Sequence, residues 1–188
     1  MVPEARGEAY ISVDIEAAGP IPAQYSMLSL GACSVTSPDN SFYVELRPVT
    51  EAFIPEALRV SHLSLGQLAL SGRDPAAAMA EFRDWIGQVA GDRRPVLVGF
   101  NASFDWSFVN WYFHTFFGEN PFGIGGIDIK SYYMGLVGAR WDQTSSRQLP
   151  AEFQPMTHQT HNALDDARAQ AQIFAKLLRA NRGLGGGE

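Results

Sequence analysis

The chain has 188 residues, of which 46% are hydrophobic and 18% are charged, and its formal net charge is −6. This composition excludes a disordered chain, and the acidic balance argues against a protein that binds polyanions through a broad basic surface. An enzyme that binds cations is not excluded, because bound cations reverse the local field toward phosphate.

The single cysteine, Cys33, excludes an intramolecular disulfide and indicates a reducing compartment. No segment has the run of about 20 apolar residues that is needed to span a bilayer. We therefore expect a soluble, cytoplasmic protein with one domain over 1–188. We expect order from about residue 9 to residue 182, with flexible ends at 1–8 and 183–188.

The first quarter of the chain predicts an antiparallel meander. Residues 9–16 alternate between apolar and polar side chains, which is typical of a strand with one buried face. Two further strands are predicted over 27–35 and 40–46, with Asp39 and Asn40 at the turn between them.

The rest of the chain alternates between predicted helices and strands, which favours parallel βαβ pairing. Helices are predicted over 55–60, 74–89, 103–117 and 162–180, and strands over 96–100 and 124–129. Only a helical turn is expected after 129, and residues 138–160 have no regular pattern. The predicted fold class is α/β, with a mixed central sheet of about five strands that is flanked by helices.

Asp14 and Glu16 lie two residues apart on the first predicted strand. Their side chains therefore project from the same face, about 6 to 7 Å apart along the chain. By itself an Asp-x-Glu pair is more often a solvated strand end than a site.

Asp105 lies near the start of the predicted helix 103–117, on the stripe of Val109 and Tyr112 that should face the core. A buried anion without a partner is costly, so such a carboxylate usually pairs with a base or binds a metal. No Arg or Lys lies between 96 and 129 to pair with it. The alternative is a first-turn carboxylate that the helix dipole stabilises.

Two adjacent aspartates stand at the start of the last predicted helix, and helical geometry separates them. Asp165 lies on the polar, solvated face, whereas Asp166 shares its face with Ile173 and Leu177. Asp166 is therefore the better candidate for a metal ligand.

His161 immediately precedes this helix, where a loop can direct its ring toward the same site. His158 in the same loop is the competing candidate. His158, His62 and His114 are interpreted as surface residues, because a lone loop histidine is more often exposed than functional.

These residues fall into three segments that resemble the motifs of the DEDDh exonuclease superfamily. The segments are 13–19 (VDIEAAG), 99–105 (GFNASFD) and 161–167 (HNALDDA). The superfamily includes ribonuclease T and the proofreading subunit of bacterial replicative polymerases. In its third motif the histidine stands five residues before the aspartate, which selects His161 and Asp166.

The resemblance implies a ribonuclease H-like fold and a 3′–5′ exonuclease that releases nucleoside 5′-monophosphates from single-stranded DNA or RNA. It implies that two divalent cations, Mg²⁺ or Mn²⁺, are held by four carboxylates: Asp14, Glu16, Asp105 and Asp166. Hard cations prefer such oxygen ligands, and two of them can stabilise the attacking and leaving oxygens. The resemblance also implies that His161 is the general base that takes a proton from the attacking water.

Substrate contacts are implied at four positions of the first two motifs: Ile15, Ala17, Asn101 and Phe104. The chain departs from many relatives at Phe100, where they carry histidine, and at Ala17, where they carry threonine. These departures leave the substrate open among DNA, RNA and very short oligonucleotides. Phe104 could stack on a terminal base, and the loop 140–147 with Trp141 could close over the strand.

The family resemblance is also compatible with another function and with several kinds of partner. A catalytically silent domain that binds nucleic acid or protein is the alternative function, but five intact site residues argue against it. A proofreading module would need a polymerase-binding tail, and 183–188 is too short for one. A homodimer is compatible with the many aromatic residues, and no membrane partner is expected.

Overall fold

A five-stranded mixed sheet is the centre of the computed structural model, which describes residues 7–156 and 160–184. Its strands are β1 (Glu8–Ala17), β2 (Met27–Ser34), β3 (Ser41–Glu45), β4 (Arg94–Gly99) and β5 (Gly126–Asp128). The order across the sheet is β3-β2-β1-β4-β5. Strands β1 to β3 pair antiparallel, and β4 and β5 continue from β1 in parallel. The predicted meander, the parallel strands and the α/β fold class are confirmed.

Six α-helices surround this sheet in the described part of the chain. They are α1 (Pro55–Ser61), α2 (Leu65–Ser71), α3 (Pro75–Ala90), α4 (Ala102–Phe117), α5 (Ile129–Val137) and α6 (Ala163–Leu184). Two short 3₁₀ helices, Trp141–Gln143 and Ser146–Gln148, interrupt the segment that was predicted to be irregular. No helix among the described residues has both the length and the hydrophobicity to cross a bilayer.

The helix boundaries follow from local capping chemistry where the sequence signals are strong. The side chain of Asp74 accepts hydrogen bonds from the N–H groups of Ala76 and Ala77, and Pro75 occupies the first turn of α3, as predicted. Helix α2 was not predicted, because Leu68 is its only buried residue and its apolar pattern is too short. Helix α5 is longer than the single turn that was expected.

The two faces of β1 serve different purposes. Ile11, Val13 and Ile15 belong to one buried cluster, which they form with side chains of α3 and α4. The alternate residues, Asp14 and Glu16, project toward the opposite face, where α6 crosses the sheet. One strand therefore supplies both the core and a row of carboxylates.

Helix α6 begins directly over Gly31, the residue that pairs with Asp14 across the β1–β2 ladder. A Cβ atom at Gly31 would lie 2.2 Å from the carbonyl carbon of Ala163 and 2.2 Å from the backbone nitrogen of Leu164. Only a residue without a side chain allows this approach. Gly31 thus fixes how closely the start of α6 lies to β1.

We predict that Gly31→Ala lowers the free energy of unfolding by about 1 to 3 kcal/mol, because the added methyl group must displace the first turn of α6. Gly87→Ala is the matched control. Gly87 lies inside α3 with no atom within 4 Å of an added Cβ, so this change should stabilise the protein by about 0.5 to 1 kcal/mol. Urea denaturation measures both, and equal stability of Gly31→Ala and wild type would contradict the account.

Candidate active site

The carboxyl ends of β1 and β4 meet at one edge of the sheet, and the predicted site residues gather there. Asp14 and Glu16 lie near the carboxyl end of β1. The second predicted motif begins at the last residue of β4. The β1–β2 register shifts between Glu16 and Ala17, which is a bulge that bends the end of β1. The hydroxyl of Tyr112 accepts the N–H of Met27 at 2.9 Å and holds the partner strand at this bend.

Asp105 points into the protein, as its position on the apolar stripe of α4 predicted, and only 3% of it is exposed. Its Oδ1 accepts the backbone N–H of Ile15 at 3.0 Å. The β1–β4 ladder ends at Ser12, so beyond that point the carboxylate of Asp105 takes the place of a strand partner. This bond ties the start of α4 to β1 between Asp14 and Glu16.

The turn between β4 and α4 has an unusual backbone. Asn101 adopts a left-handed conformation with φ of 64°, which is uncommon for a residue other than glycine. Two contacts hold it: the Oδ1 of Asn101 accepts from Lys130 Nζ at 3.0 Å, and the N–H of Ala102 donates to Asp128 Oδ2 at 3.0 Å. The turn that carries Asp105 is therefore fixed from the side of α5.

Asp166 is 2% exposed, whereas Asp165 is exposed and forms an ion pair with Arg168 on the surface of α6. The choice of Asp166 as the inward aspartate is thus confirmed. Its two oxygens accept the N–H groups of Thr160 at 2.8 Å and His161 at 3.1 Å. His161 has a φ of 58°, so the backbone turns sharply just before α6.

The other histidines lie in different surroundings. His114 contacts the carbonyl of Gly118 at the far end of α4. His62, interpreted as a surface residue, lines a groove of about 230 Å³ together with His161. His158 lies outside the described residues.

The site is strongly anionic, and both burial and neighbouring charges raise the pKa values of its carboxylates. Burial, reinforced by the charges of Asp105, Asp166 and Glu16, raises the pKa of Asp14 well above its ordinary value. Burial, followed by the charge of Asp166, raises the pKa of Glu16 to about 7. Burial raises the pKa of Asp105 to about 8 and also raises the pKa of Asp166. The ionised form of each of these groups is therefore disfavoured, mainly by burial and also by neighbouring negative charges.

A divalent cation fits this donor set. Ligand atoms of Glu16, His161 and Asp166 lie within 4.8 Å of one another, and Asp14 and Asp105 are close enough to interact with this group. Hard cations such as Mg²⁺ and Mn²⁺ prefer carboxylate oxygens, and their charge would offset the repulsion among the ionised groups. The structure therefore brings together all five residues that the sequence selected.

Three features of the site were not found from the sequence. Gln170 on α6 contacts Asp14, Lys130 contacts Asn101, and a cavity of about 580 Å³ lies beside Asp166 with Arg147 on its wall. Gln170 follows Asp166 by four residues on the same helix face, which is the one signal that could have indicated it. The contacts of Lys130 and Arg147 depend on loop packing, which has no periodic signature.

The chain is similar to known exonucleases over most of its length. The ribonuclease T family model, described as Exonuclease, matches residues 11–174. The chain is 50% identical over 168 residues to the 3′-5′ DNA exonuclease Cap18 of Escherichia coli, covering 89% of this chain and 90% of that protein.

Solved structures share the fold at low sequence identity. The nuclease domain of 3′hExo, a DEDDh family member bound to rAMP, has a TM-score of 0.71 at 15% identity, covering 91% of this chain and 92% of that one. E. coli Exonuclease I in complex with a dT13 oligonucleotide has a TM-score of 0.71 at 15% identity. That match covers 95% of this chain but only 43% of Exonuclease I.

We predict that the metal-free protein loses stability as the pH rises from about 5 to about 8. The pKa values of Glu16 and Asp105 are about 7 and about 8 in the folded chain and lower in the unfolded chain, so folding favours their protonated forms. That stability is present at low pH and is lost as the pH passes through the folded pKa values.

The measurement is the melting temperature against pH in a chelator, with Mn²⁺ as the comparison. Mn²⁺ should raise the melting temperature most at the high end of this range, because it binds the ionised carboxylates. Asp105→Asn, which keeps the shape and removes the charge, should weaken the pH dependence in the chelator. A melting temperature that rises steadily from about pH 5 to about pH 8 in the chelator would rule out this account.

Proposed function

Because the chain belongs to the ribonuclease T family of exonucleases and is a 3′–5′ exonuclease of the DEDDh type, we propose that it degrades single-stranded DNA. The choice of DNA is supported by the name of its 50% identical relative, a 3′-5′ DNA exonuclease. The choice of a single strand is supported by the complex of Exonuclease I with dT13. The observation that carries the proposal is the convergence of four carboxylates and His161 at one edge of the sheet.

In the proposed reaction, water attacks the phosphorus of the 3′-terminal nucleotide, and the bond to the 3′ oxygen of the preceding nucleotide breaks. The products are a nucleoside 5′-monophosphate and a strand with a new 3′ hydroxyl. Two divalent cations, when bound, stabilise the charge on the attacking and leaving oxygens. The residues that would hold these cations are Asp14, Glu16, Asp105 and Asp166. Other residues of this chain supply the remaining steps.

The carboxylates are oriented before any cation binds. Asp105 is held by the N–H of Ile15, and Asp166 by the N–H groups of Thr160 and His161. A carboxylate oxygen has a second lone pair, so each can accept a backbone hydrogen bond and still coordinate a cation. This arrangement lowers the reorganisation that metal binding and catalysis require.

His161 is the proposed general base that takes a proton from the attacking water. Its side chain is exposed, and an atom of its ring lies within 4.8 Å of ligand atoms of Glu16 and Asp166. Its left-handed backbone and its N–H bond to Asp166 direct the residue toward the site. A ring nitrogen of imidazole can accept a proton and then release it, as a general base must.

Phe104 is the proposed stacking partner of the terminal base. It is 38% exposed at the start of α4, one residue before Asp105, and its ring is supported by Phe108 at 5.3 Å between centroids. Stacking of a base on an aromatic ring contributes about 1 to 3 kcal/mol and tolerates any base.

Ile15 and Ala17 are buried, so their backbone atoms rather than their side chains are left for the substrate contacts expected of them.

Lys130 and Trp141 are the proposed contacts for the strand beyond the terminal nucleotide. The Nζ of Lys130 lies 4.0 Å from the centre of the Trp141 ring and donates to Asn101, and Trp141 is 55% exposed. A cation over an aromatic face offers a phosphate contact and a stacking surface together. This pair provides local positive charge on a chain that is acidic overall.

We predict that purified protein with Mg²⁺ or Mn²⁺ shortens 5′-labelled single-stranded DNA from the 3′ end into a ladder, and that a chelator abolishes it. Asp166→Asn should lower the rate by more than about 100-fold, because even residues that only support metal ligands contribute 10- to 100-fold. Asp165→Asn is the matched control on the neighbouring, exposed residue and should cleave like wild type.

The same assay with single-stranded RNA and with duplex DNA tests the substrate. Faster cleavage of RNA than of DNA would overturn the choice of sugar but not the reaction. Cleavage that survives both Asp166→Asn and the chelator would overturn the metal-dependent mechanism.

For His161→Gln we predict a 10²- to 10⁴-fold lower kcat, the usual contribution of a general base. Mn²⁺ binding, measured by calorimetry, should change much less, because the carboxylates remain. His114→Gln, at the far end of α4, is the control histidine and should keep its activity. An unchanged kcat in His161→Gln would show that another group takes the proton.

A further inference from the structure

Gln170 occupies a buried position between three parts of the site. It lies on α6, four residues after Asp166, and only 4% of it is exposed. Its Nε2 donates to Asp14 Oδ1 at 2.6 Å, and its Oε1 accepts the backbone N–H of Phe100 at 3.0 Å. One amide therefore joins α6, the carboxylate on β1 and the turn after β4.

The two contacts fix the direction of the amide. A backbone N–H can only donate, so Phe100 requires the oxygen of Gln170 on its side. The NH₂ group is then left facing Asp14, where an ionised carboxylate requires a donor. Glutamate, which has nearly the same shape, could satisfy Phe100 but would present an oxygen to Asp14.

Asp14 differs from the other two buried carboxylates in how it is held. Backbone N–H groups orient Asp105 and Asp166. Among the described residues, the hydrogen bond to Asp14 comes from a side chain, that of Gln170. Asp105, Asp166 and Glu16 all repel it, and the amide is the attractive contact that opposes them. The orientation of Asp14 is thus set by a group that mutation can remove.

We propose that Gln170 is a positioning residue that aims the carboxylate of Asp14 at the cation it holds, with the Phe100 turn as the anchor of the amide. By occupying Oδ1 from the side of α6, the amide leaves Oδ2 for coordination. The inference rests on the proposed metal-dependent function. Outer contacts of this kind typically change metal affinity or activity by 10- to 100-fold when they are removed.

Three variants separate donation to Asp14 from packing. Gln170→Met keeps the length of the side chain and removes both hydrogen bonds. Gln170→Glu keeps an acceptor for Phe100 but places a carboxylate against Asp14. Gln172→Glu is the matched control, because Gln172 lies on the same helix and accepts the N–H of Met156 at 2.8 Å.

The measurements are Mn²⁺ binding by calorimetry without DNA, the Mn²⁺ concentration for half-maximal cleavage, and the melting temperature in a chelator. Both Gln170 variants should bind Mn²⁺ 10- to 100-fold more weakly and need correspondingly more Mn²⁺ for cleavage. Excess Mn²⁺ should recover much of their activity, which it would not do if they were misfolded. Gln172→Glu should match wild type in both Mn²⁺ measurements.

Wild-type Mn²⁺ binding in Gln170→Glu would overturn the proposal and assign the amide to the Phe100 turn alone. Wild-type binding in both Gln170 variants would remove any positioning role. Lost activity with unchanged Mn²⁺ binding in the Gln170 variants would also contradict the proposal. These outcomes differ from a failure of the proposed function, in which the wild-type protein itself would not cleave DNA.

Discussion

Electrostatic repulsion among Asp14, Glu16, Asp105 and Asp166 is the constraint on which the rest of the structure depends. Two like charges 4 Å apart repel by about 4 kcal/mol near a protein surface, and here four carboxylates share one edge of a sheet. Burial adds to the penalty and raises the pKa of each group. A fold can retain such a cluster only if hydrogen-bond donors orient it and protons or cations neutralise it.

The fold supplies this support through elements that are distant in the sequence. The odd residues of β1 are buried under α3 and α4, which frees the even residues to carry Asp14 and Glu16 on the other face. Gly31 lets the start of α6 reach the sheet beside Asp14. Hydrophobic burial, mostly on the opposite face of the sheet, thus offsets the unfavourable free energy of bringing the four charges together.

Periodicity and motif spacing predict the parts of this arrangement that depend on local geometry. The alternation in β1 placed Asp14 and Glu16 on one face, and the 3.6-residue repeat of the last helix selected Asp166 over Asp165. The five residues of the site follow from such patterns together with the family resemblance. Helix α2 lacked a pattern because it buries one side chain.

The supporting contacts could not be predicted from the sequence, because they join residues far apart in the chain. Gly31 contacts Ala163, and Gln170 contacts Asp14 across 156 positions. No local pattern marks a glycine that lies under a helix or a glutamine that spans two elements. Such contacts decide how well the site is aligned, whereas the local patterns decide which residues form it.

The most direct test of the account is a crystal structure of the protein grown with Mn²⁺ and a short single-stranded DNA, with data collected at the manganese absorption edge. We expect two anomalous peaks about 3.5 to 4 Å apart among Asp14, Glu16, Asp105 and Asp166, with the scissile phosphate against them. Anomalous peaks elsewhere, or carboxylates that turn away from the bound strand, would contradict the assignment of these residues to catalysis.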